Sequence, residues 1–168
     1  MITLCIDIGN TSIAYCEAIN DKIKSLNRLP KSIKSINYFH NYRIDHINQI
    51  IISSVVPSIS KQIISMFKLK NKKIFEVSYK DSKIKFLVDN PSEVGNDRIC
   101  NLVATKEIYG SPSIIIDFGT ATTYDVTDNN GDFIGGAIAP GIDTSADNLI
   151  SKASLLKETT YQFPNSII

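Results

Sequence analysis

Two short strings carry residue types suited to chemistry. Asp7-Ile8-Gly9-Asn10-Thr11 closes an apolar run over residues 2–8, and Asp117-Phe118-Gly119-Thr120 closes another that starts at Ser113. In both, an acid, a glycine and a hydroxyl follow an expected strand. Glycine lets the backbone turn tightly and brings N–H groups close to an anion. Thr and Asn side chains add hydrogen bonds. An Asp at a strand end can hold Mg²⁺ through water, which brings a carboxylate near a polyphosphate without direct repulsion. One such string is common in turns. Two in the same context, 110 residues apart (117 − 7), point to a nucleotide clamped across a cleft.

A third string, Gly95-Asn96-Asp97-Arg98, lies between them beside an expected helix start. An Asp there can take the proton of a substrate hydroxyl as that oxygen attacks a γ-phosphate. Its neighbour Arg98 can fix a carboxylate and help keep Asp97 ionised. The plainer alternative, equally open on the sequence, is a helix cap at Asp97 and a surface pair at Arg98. Paired glycines in Gly135-Gly136, followed by Pro140-Gly141, allow another backbone or a ligand to approach closely. They suit a structural role or the lining of a substrate pocket.

The elements that must position these strings follow from periodicity. Strands are expected at 2–8, 12–19, 22–29, 49–56 and 73–78, the first three as an antiparallel meander. Residues 32–47 are ambiguous. Ile59, Ile63, Ile64 and Phe67 have helical spacing over 58–69, with Ser58 as a candidate cap. A helix over 99–109 precedes strands at 113–116, 124–126 and 133–138, with a hairpin turn at Asp128–Gly131. A further helix is expected from about Thr144 to Leu156. Strand, Asp-x-Gly string, two more strands and a helix therefore occur twice. The second occurrence has only about half the length of the first. The expected fold class is α/β, a duplicated ribonuclease H-like (actin-like ATPase) domain with mixed five-stranded sheets, residues 1–111 forming the first domain and 112–168 the N-terminal half of the second.

Composition bounds the rest. The 168 residues are 43% hydrophobic and 21% charged, which suits a globular chain with a sizeable core. A net charge of +1 argues against general nucleic-acid binding. No apolar run is long enough to span a membrane, and Met1-Ile2-Thr3-Leu4-Cys5-Ile6-Asp7 is unlike a secretory signal. Cys5, Cys16 and Cys100 lack metal-like spacing and read as reduced thiols of a cytoplasmic protein. His40 and His46 read as surface residues.

Taken with Ser53-Ser54-Val55-Val56-Pro57 and Asn90-Pro91-Ser92-Glu93-Val94-Gly95-Asn96-Asp97-Arg98, these strings resemble type III pantothenate kinase in order and spacing over essentially the whole chain. The resemblance implies ATP-dependent phosphorylation of pantothenate, the first committed step to coenzyme A. It implies a cytoplasmic homodimer that uses Mg²⁺ and a monovalent cation (K⁺ or NH₄⁺), with no nucleic acid or membrane partner. ATP would be held by Asp7, Ile8, Gly9, Asn10, Thr11, Ser12, Ile13, Ala14 and Thr120. Pantothenate would be held by Gly95, Asn96, Asp97 and Arg98, with Asp97 as proton acceptor, and Asp117 would bind the monovalent cation. Family members run further, so an exposed strand edge in the second sheet and an exposed apolar helix face are expected. Val88 stands where many relatives have Tyr, and Asn96 where Ala is commoner. The competing expectation is a shortened, non-catalytic nucleotide-binding or regulatory (transcription-accessory) relative.

Overall fold

The computed structural model describes residues 1–20 and 22–153. Its order is β1 (Ile2–Ile8), β2 (Ser12–Ile19), β3 (Lys22–Pro30), α1 (Ile33–His40), β4 (Gln49–Ser54), α2 (Pro57–Leu69), β5 (Lys73–Glu76), α3 (Asn96–Ile108), β6 (Ser113–Phe118), β7 (Ala121–Thr127), β8 (Phe133–Pro140) and α4 (Ile142–Lys152). Single 3₁₀ turns at Tyr79–Asp81 and Pro91–Glu93 punctuate the connection between β5 and α3.

The strands form two sheets. The first has the order β3-β2-β1-β4-β5 and the second β6-β7-β8. In the first, β1 is antiparallel to β2 and parallel to β4, and β4 is parallel to β5. This is the mixed five-stranded sheet with helices expected for the fold class. Alternation decides the faces. Leu4, Ile6 and Ile8 of β1, Ile13 and Tyr15 of β2, and Ile50 and Ile52 of β4 point to one side. There they meet Phe39 of α1 and Ile63, Ile64 and Phe67 of α2 in the main core. Burying a side chain of this size stabilises by about 1.5–3 kcal/mol before ordering costs. The opposite face of β1 carries Cys5 and Asp7, and β4 adds Ser53 there. A smaller core of Ile84, Leu102 and Phe133 joins α3 to the second sheet.

Several local expectations shift. The ambiguous stretch 32–47 forms a short helix, with the Ser32 side chain accepting from the Ser35 N–H as its cap. Ser58 does not cap α2. Val56 takes that position and Pro57 opens the helix, where its missing N–H is not needed. Helix α3 begins at Asn96 rather than at residue 99, so Asp97 and Arg98 lie in its first turn. Helix α4 begins at Ile142 and ends at Lys152. The part of the expected helix beyond 153 lies outside the described residues. The expected hairpin turn is present: the Asp128 carboxylate accepts from the Asn130 and Asp132 N–H groups, and Gly131 takes a φ of +75°.

Candidate active site

The two Asp-x-Gly strings form matching hairpin tips. In the first, the Gly9 N–H donates to the Ser12 carbonyl at 3.0 Å; in the second, the Gly119 N–H donates to the Ala121 carbonyl at 3.0 Å. The second tip is one residue shorter, because Asn10 has no counterpart. The tips meet through their threonines, with 2.8 Å between the Thr11 and Thr120 hydroxyls. Thr11 and Thr120 are both exposed, so these hydroxyls sit at an accessible seam between the sheets.

Asp7 sits at the end of β1, paired across the ladder with Ser53 of β4. The Ser53 hydroxyl donates to Asp7 Oδ1 at 2.9 Å. Asp7 is exposed, yet the protein around it removes enough hydration to raise its carboxyl above the usual range; Asp97 and Asp117 push it further up, while Ser53 and Arg28 oppose the rise. Asp97 and Asp117, singled out in two other strings, therefore both lie close enough to act on Asp7. The fold explains this convergence. Asp7 and Asp117 end β1 and β6, while Asn96 Nδ2 donates to the Ser54 carbonyl at 3.2 Å and ties the start of α3 to the end of β4. Gly95 leaves room for the Asp97 carboxylate: a Cβ there would stand 2.5 Å from Asp97 Oδ1 and 3.3 Å from Val55 Cγ1.

Asp97 accepts the Arg98 N–H at Oδ1, 2.8 Å away. Arg98 does not form a surface pair. Its Nε donates to both carboxylate oxygens of Asp125 at 3.0 and 3.2 Å, and its Nη2 donates to Oδ1 as well. Asp125 is fully buried, and the guanidinium lies 5.7 Å from the Phe133 ring centroid. The sequence reading missed Asp125; its place in a β-propensity strand, two residues after Thr123, offered no sign that it faces inward. The Gly135-Gly136 pair explains itself here. A Cβ on Gly136 would meet the Tyr124 carbonyl at 2.2 Å, Arg98 Nη2 at 2.8 Å and Asp125 Oδ1 at 2.9 Å.

Asp117 Oδ2 accepts from Asn101 Nδ2 at 2.9 Å, and Thr123 faces Asp117 across the β6–β7 ladder. The Thr123 hydroxyl is buried with no hydrogen-bond partner among the described residues. Pro140-Gly141 brings the start of α4 to the second tip: the Gly141 N–H and the Thr144 hydroxyl both donate to the Thr120 carbonyl, at 3.0 and 2.8 Å. A helix N-terminus beside a glycine tip suits an anion. Of the other expected nucleotide contacts, Asn10 is exposed, Ser12 Oγ accepts from Arg28 Nη1 at 2.9 Å, and Ala14 is half-buried. Ile8 and Ile13 are fully buried in the main core, so their side chains serve packing. Among the described residues no group of three or more His, Cys, Asp or Glu forms a metal cluster. The cysteines are free and His46 bonds Glu17 at 2.9 Å.

Comparison with known proteins decides the family. The family described as type III pantothenate kinase matches residues 3–168. The chain belongs to the type III pantothenate kinase family. Type III pantothenate kinase of Agathobacter rectalis is 36% identical over 180 residues, covering 98% of this chain and 68% of the relative. That of Sulfurihydrogenibium sp. is 39% identical, covering 98% and 71%. Among solved structures, a Campylobacter jejuni protein described under the Baf family of transcriptional activators aligns with a TM-score of 0.60 and 21% identity, over 97% of this chain and 68% of that one. An Aquifex aeolicus Ppx/GppA family member aligns at 0.52 and 13%, over 90% and 54%. At such identities these neighbours establish the actin-like ATPase type of fold alone. No helix among the described residues of this type III pantothenate kinase relative is long and apolar enough to cross a membrane.

Proposed function

We propose that this protein transfers the γ-phosphoryl group of ATP to the primary hydroxyl of pantothenate, giving 4′-phosphopantothenate at the first step of coenzyme A biosynthesis. The observation that carries the reading is the family match over residues 3–168. The proximity of Asp7, Asp97 and Asp117 supports it, because phosphoryl transfer needs positioned acids around one cleft. The reading as a non-catalytic regulator is not favoured, since the relatives at 31–39% identity are kinases.

In this reading the tips at Gly9–Thr11 and Gly119–Thr120 embrace the polyphosphate, with backbone N–H groups and the two threonine hydroxyls as donors. Asp97 accepts the proton as the pantothenate oxygen attacks in line. A neutral primary hydroxyl is a poor nucleophile, and a carboxylate oriented at it assists by about 10²–10⁴-fold. The Arg98 N–H fixes one oxygen of that carboxylate. The Arg98 guanidinium serves the site through Asp125, holding the first turn of α3 against the second sheet. Gly95 and Asn96 complete the substrate loop.

A kinase of this family uses ATP with a divalent metal. The residues present fit a cation: Asp7 and Asp117 concentrate negative charge beside the tips, and the Thr123 hydroxyl next to Asp117 lacks a partner. Asp7 would hold the divalent ion, through water as Mg²⁺ prefers, and Asp117 a monovalent one, K⁺ or NH₄⁺. When bound, such ions supply charge neutralisation at the phosphates. The homodimer, the cytoplasmic location and the two domains at 1–111 and 112–168 belong to the same reading, supported by the family and the two sheets.

The test is ADP release by the purified chain with and without pantothenate, in K⁺ and in Na⁺ buffer. Release dependent on pantothenate and stimulated by K⁺ is the expected result. Pantothenate-independent release, or none from folded protein that binds ATP, overturns it. Asp97→Asn should lower kcat by at least about 10²-fold with ATP binding retained; equal loss of ATP binding would remove the proton-acceptor role.

A further inference from the structure

One row of the first sheet runs through the acid that ends β1. Asp7 stands opposite Ser53 of β4 on one side and Ala14 of β2 on the other, and Ala14 stands opposite Arg28 of β3. Residues directly opposite one another across a ladder share a face. Ser53, Asp7, Ala14 and Arg28 therefore line up on the face turned away from the main core. Between the acid and the guanidinium the row carries only the methyl group of Ala14. The backbones of Asp7 and Arg28 are two strand spacings apart, about 10 Å.

Arg28 is tied to the first tip. Its Nη1 donates to the Ser12 hydroxyl at 2.9 Å, and the carbonyl of the same Ser12 receives the Gly9 N–H that closes the tip. Its charge also reaches Asp7, whose carboxyl it draws down against the upward push of Asp97 and Asp117. Arg28 is exposed, and among the described residues it forms no ion pair with a carboxylate. A guanidinium carries several N–H donors in a planar fork, so the bond to Ser12 leaves it able to take the oxygens of an anion.

The other arginine beside these acids is already committed. Arg98 donates through Nε and Nη2 to the buried Asp125. The second tip offers no cation at the matching place: the row through Asp117 continues with Thr123 of β7 and Ile138 of β8. An ATP polyphosphate at the seam would lie among Asp7, Asp97 and Asp117, and like charges this close repel unless a cation offsets them. Arg28 is the cation that the fold brings to Asp7 and the tip together.

We propose that Arg28 is a phosphate-binding residue of the ATP site, holding polyphosphate oxygens above Ala14 while its bond to Ser12 keeps the guanidinium at the first tip. This rests on the ATP-dependent reading above and adds to it a residue outside the Asp7–Ala14 string, on a strand whose sequence carries no motif. The guanidinium offsets anionic charge beside the carboxylates and, with two parallel N–H donors, fixes the orientation of the phosphate it meets.

The experiment titrates ATP with Mg²⁺ into the chain and into Arg28→Met, Arg28→Lys and Lys24→Met by isothermal titration calorimetry, then repeats it with inorganic tripolyphosphate as competitor. Hydrogen exchange of the β1 and β2 amides reads whether the tip stays folded. Arg28→Met should weaken ATP at least tenfold, and tripolyphosphate by a similar factor. Arg28→Lys keeps the charge but loses the fork and should fall between. Lys24→Met removes a charge from another exposed position of β3 and should stay within twofold. An ATP affinity within twofold of wild type in Arg28→Met overturns the proposal. So does an equal loss in Lys24→Met, because a general field would then suffice. Tripolyphosphate that fails to compete, or competes equally in wild type and Arg28→Met, overturns it by removing the phosphate contact. A loss accompanied by unprotected β1 and β2 amides does the same, because Arg28 would then hold only the tip. ADP release with and without pantothenate, measured on the same proteins, separates this inference from the kinase reading. Arg28-dependent ATP binding without pantothenate-dependent release upholds the first and removes the second. Pantothenate-dependent release that Arg28→Met leaves unchanged, with ATP affinity also unchanged, does the reverse, and a wild-type chain that binds no ATP removes both.

Discussion

Replacing Asp125 by Ala tests whether the second sheet is fastened to the substrate loop by a buried ion pair. Asp125 is fully buried and receives three donor contacts from Arg98, whose side chain is itself 13% exposed. Removing the acid strands a guanidinium between α3 and β7 with nothing to offset its desolvation. Breaking a buried pair from one side costs about 3–5 kcal/mol, against about 0–1 kcal/mol for an exposed pair. A single domain has only about 5–15 kcal/mol in hand, so the loss is a large share of it. With a urea m-value of about 2 kcal/mol/M, the midpoint should fall by roughly 1.5–2.5 M. Arg98→Met should cost a similar amount by stranding the carboxylate. Joining it to Asp125→Leu should recover most of the loss, because apolar replacement of both partners is often neutral. Urea denaturation of the wild type, Asp125→Leu, Arg98→Met and the double variant, followed by circular dichroism, measures the cycle, with Asp125→Ala compared beside it. Single losses below about 1 kcal/mol, or a double variant no more stable than the singles, would refute a buried, mutually dependent pair.

Asp7→Asn should stabilise the fold while weakening nucleotide binding. The Asp7 carboxyl is raised on folding, so its contribution is fully present below the unfolded pKa and lost as pH rises through the folded one. At neutral pH the charge is therefore a cost that Asn removes; a lower thermal midpoint for the variant would contradict this. Glu17 has the opposite sign. His46, followed by Tyr42, holds its carboxyl below the usual range, so the stabilisation is present above the unfolded pKa and is lost as pH falls through the folded value. Glu17→Gln should flatten the acid limb of a stability–pH curve, and an unchanged limb would remove the role. Gly136→Ala should destabilise by about 1–3 kcal/mol through overpacking against a carbonyl that cannot yield. Gly119→Ala, whose Cβ would meet only the Ala121 carbonyl at 3.6 Å, should cost less when both are compared in urea.

Much of this protein can be read from its sequence because the decisive signals are local. Alternating or continuous Ile and Val runs set the strands, since a pleated half-buried surface selects those residues. The Asp-x-Gly strings mark the tips because a tight turn needs glycine whatever surrounds it. Their repetition pointed to two similar sheets; the second, β6-β7-β8, has three strands against the five of the first. Three kinds of fact needed the tertiary structure. That Asp97 and Asp117 both act on Asp7 depends on the two tips meeting at their threonines and on α3 being tied to the end of β4, which no periodicity encodes. That Arg98 reaches inward to Asp125 depends on α3 lying against β7; from the sequence, an Arg in a first helical turn serves equally well as a surface group. That the side chain of Ile13 is buried and that of Phe118 exposed depends on what packs over each sheet. Burial is a property of two surfaces, and a sequence pattern specifies only one of them. Leu4 and Ile114 stand in the same pattern, and the packing of Phe39 and of Gln49–Leu69 over one face makes the first a core residue, while Ile114 is exposed.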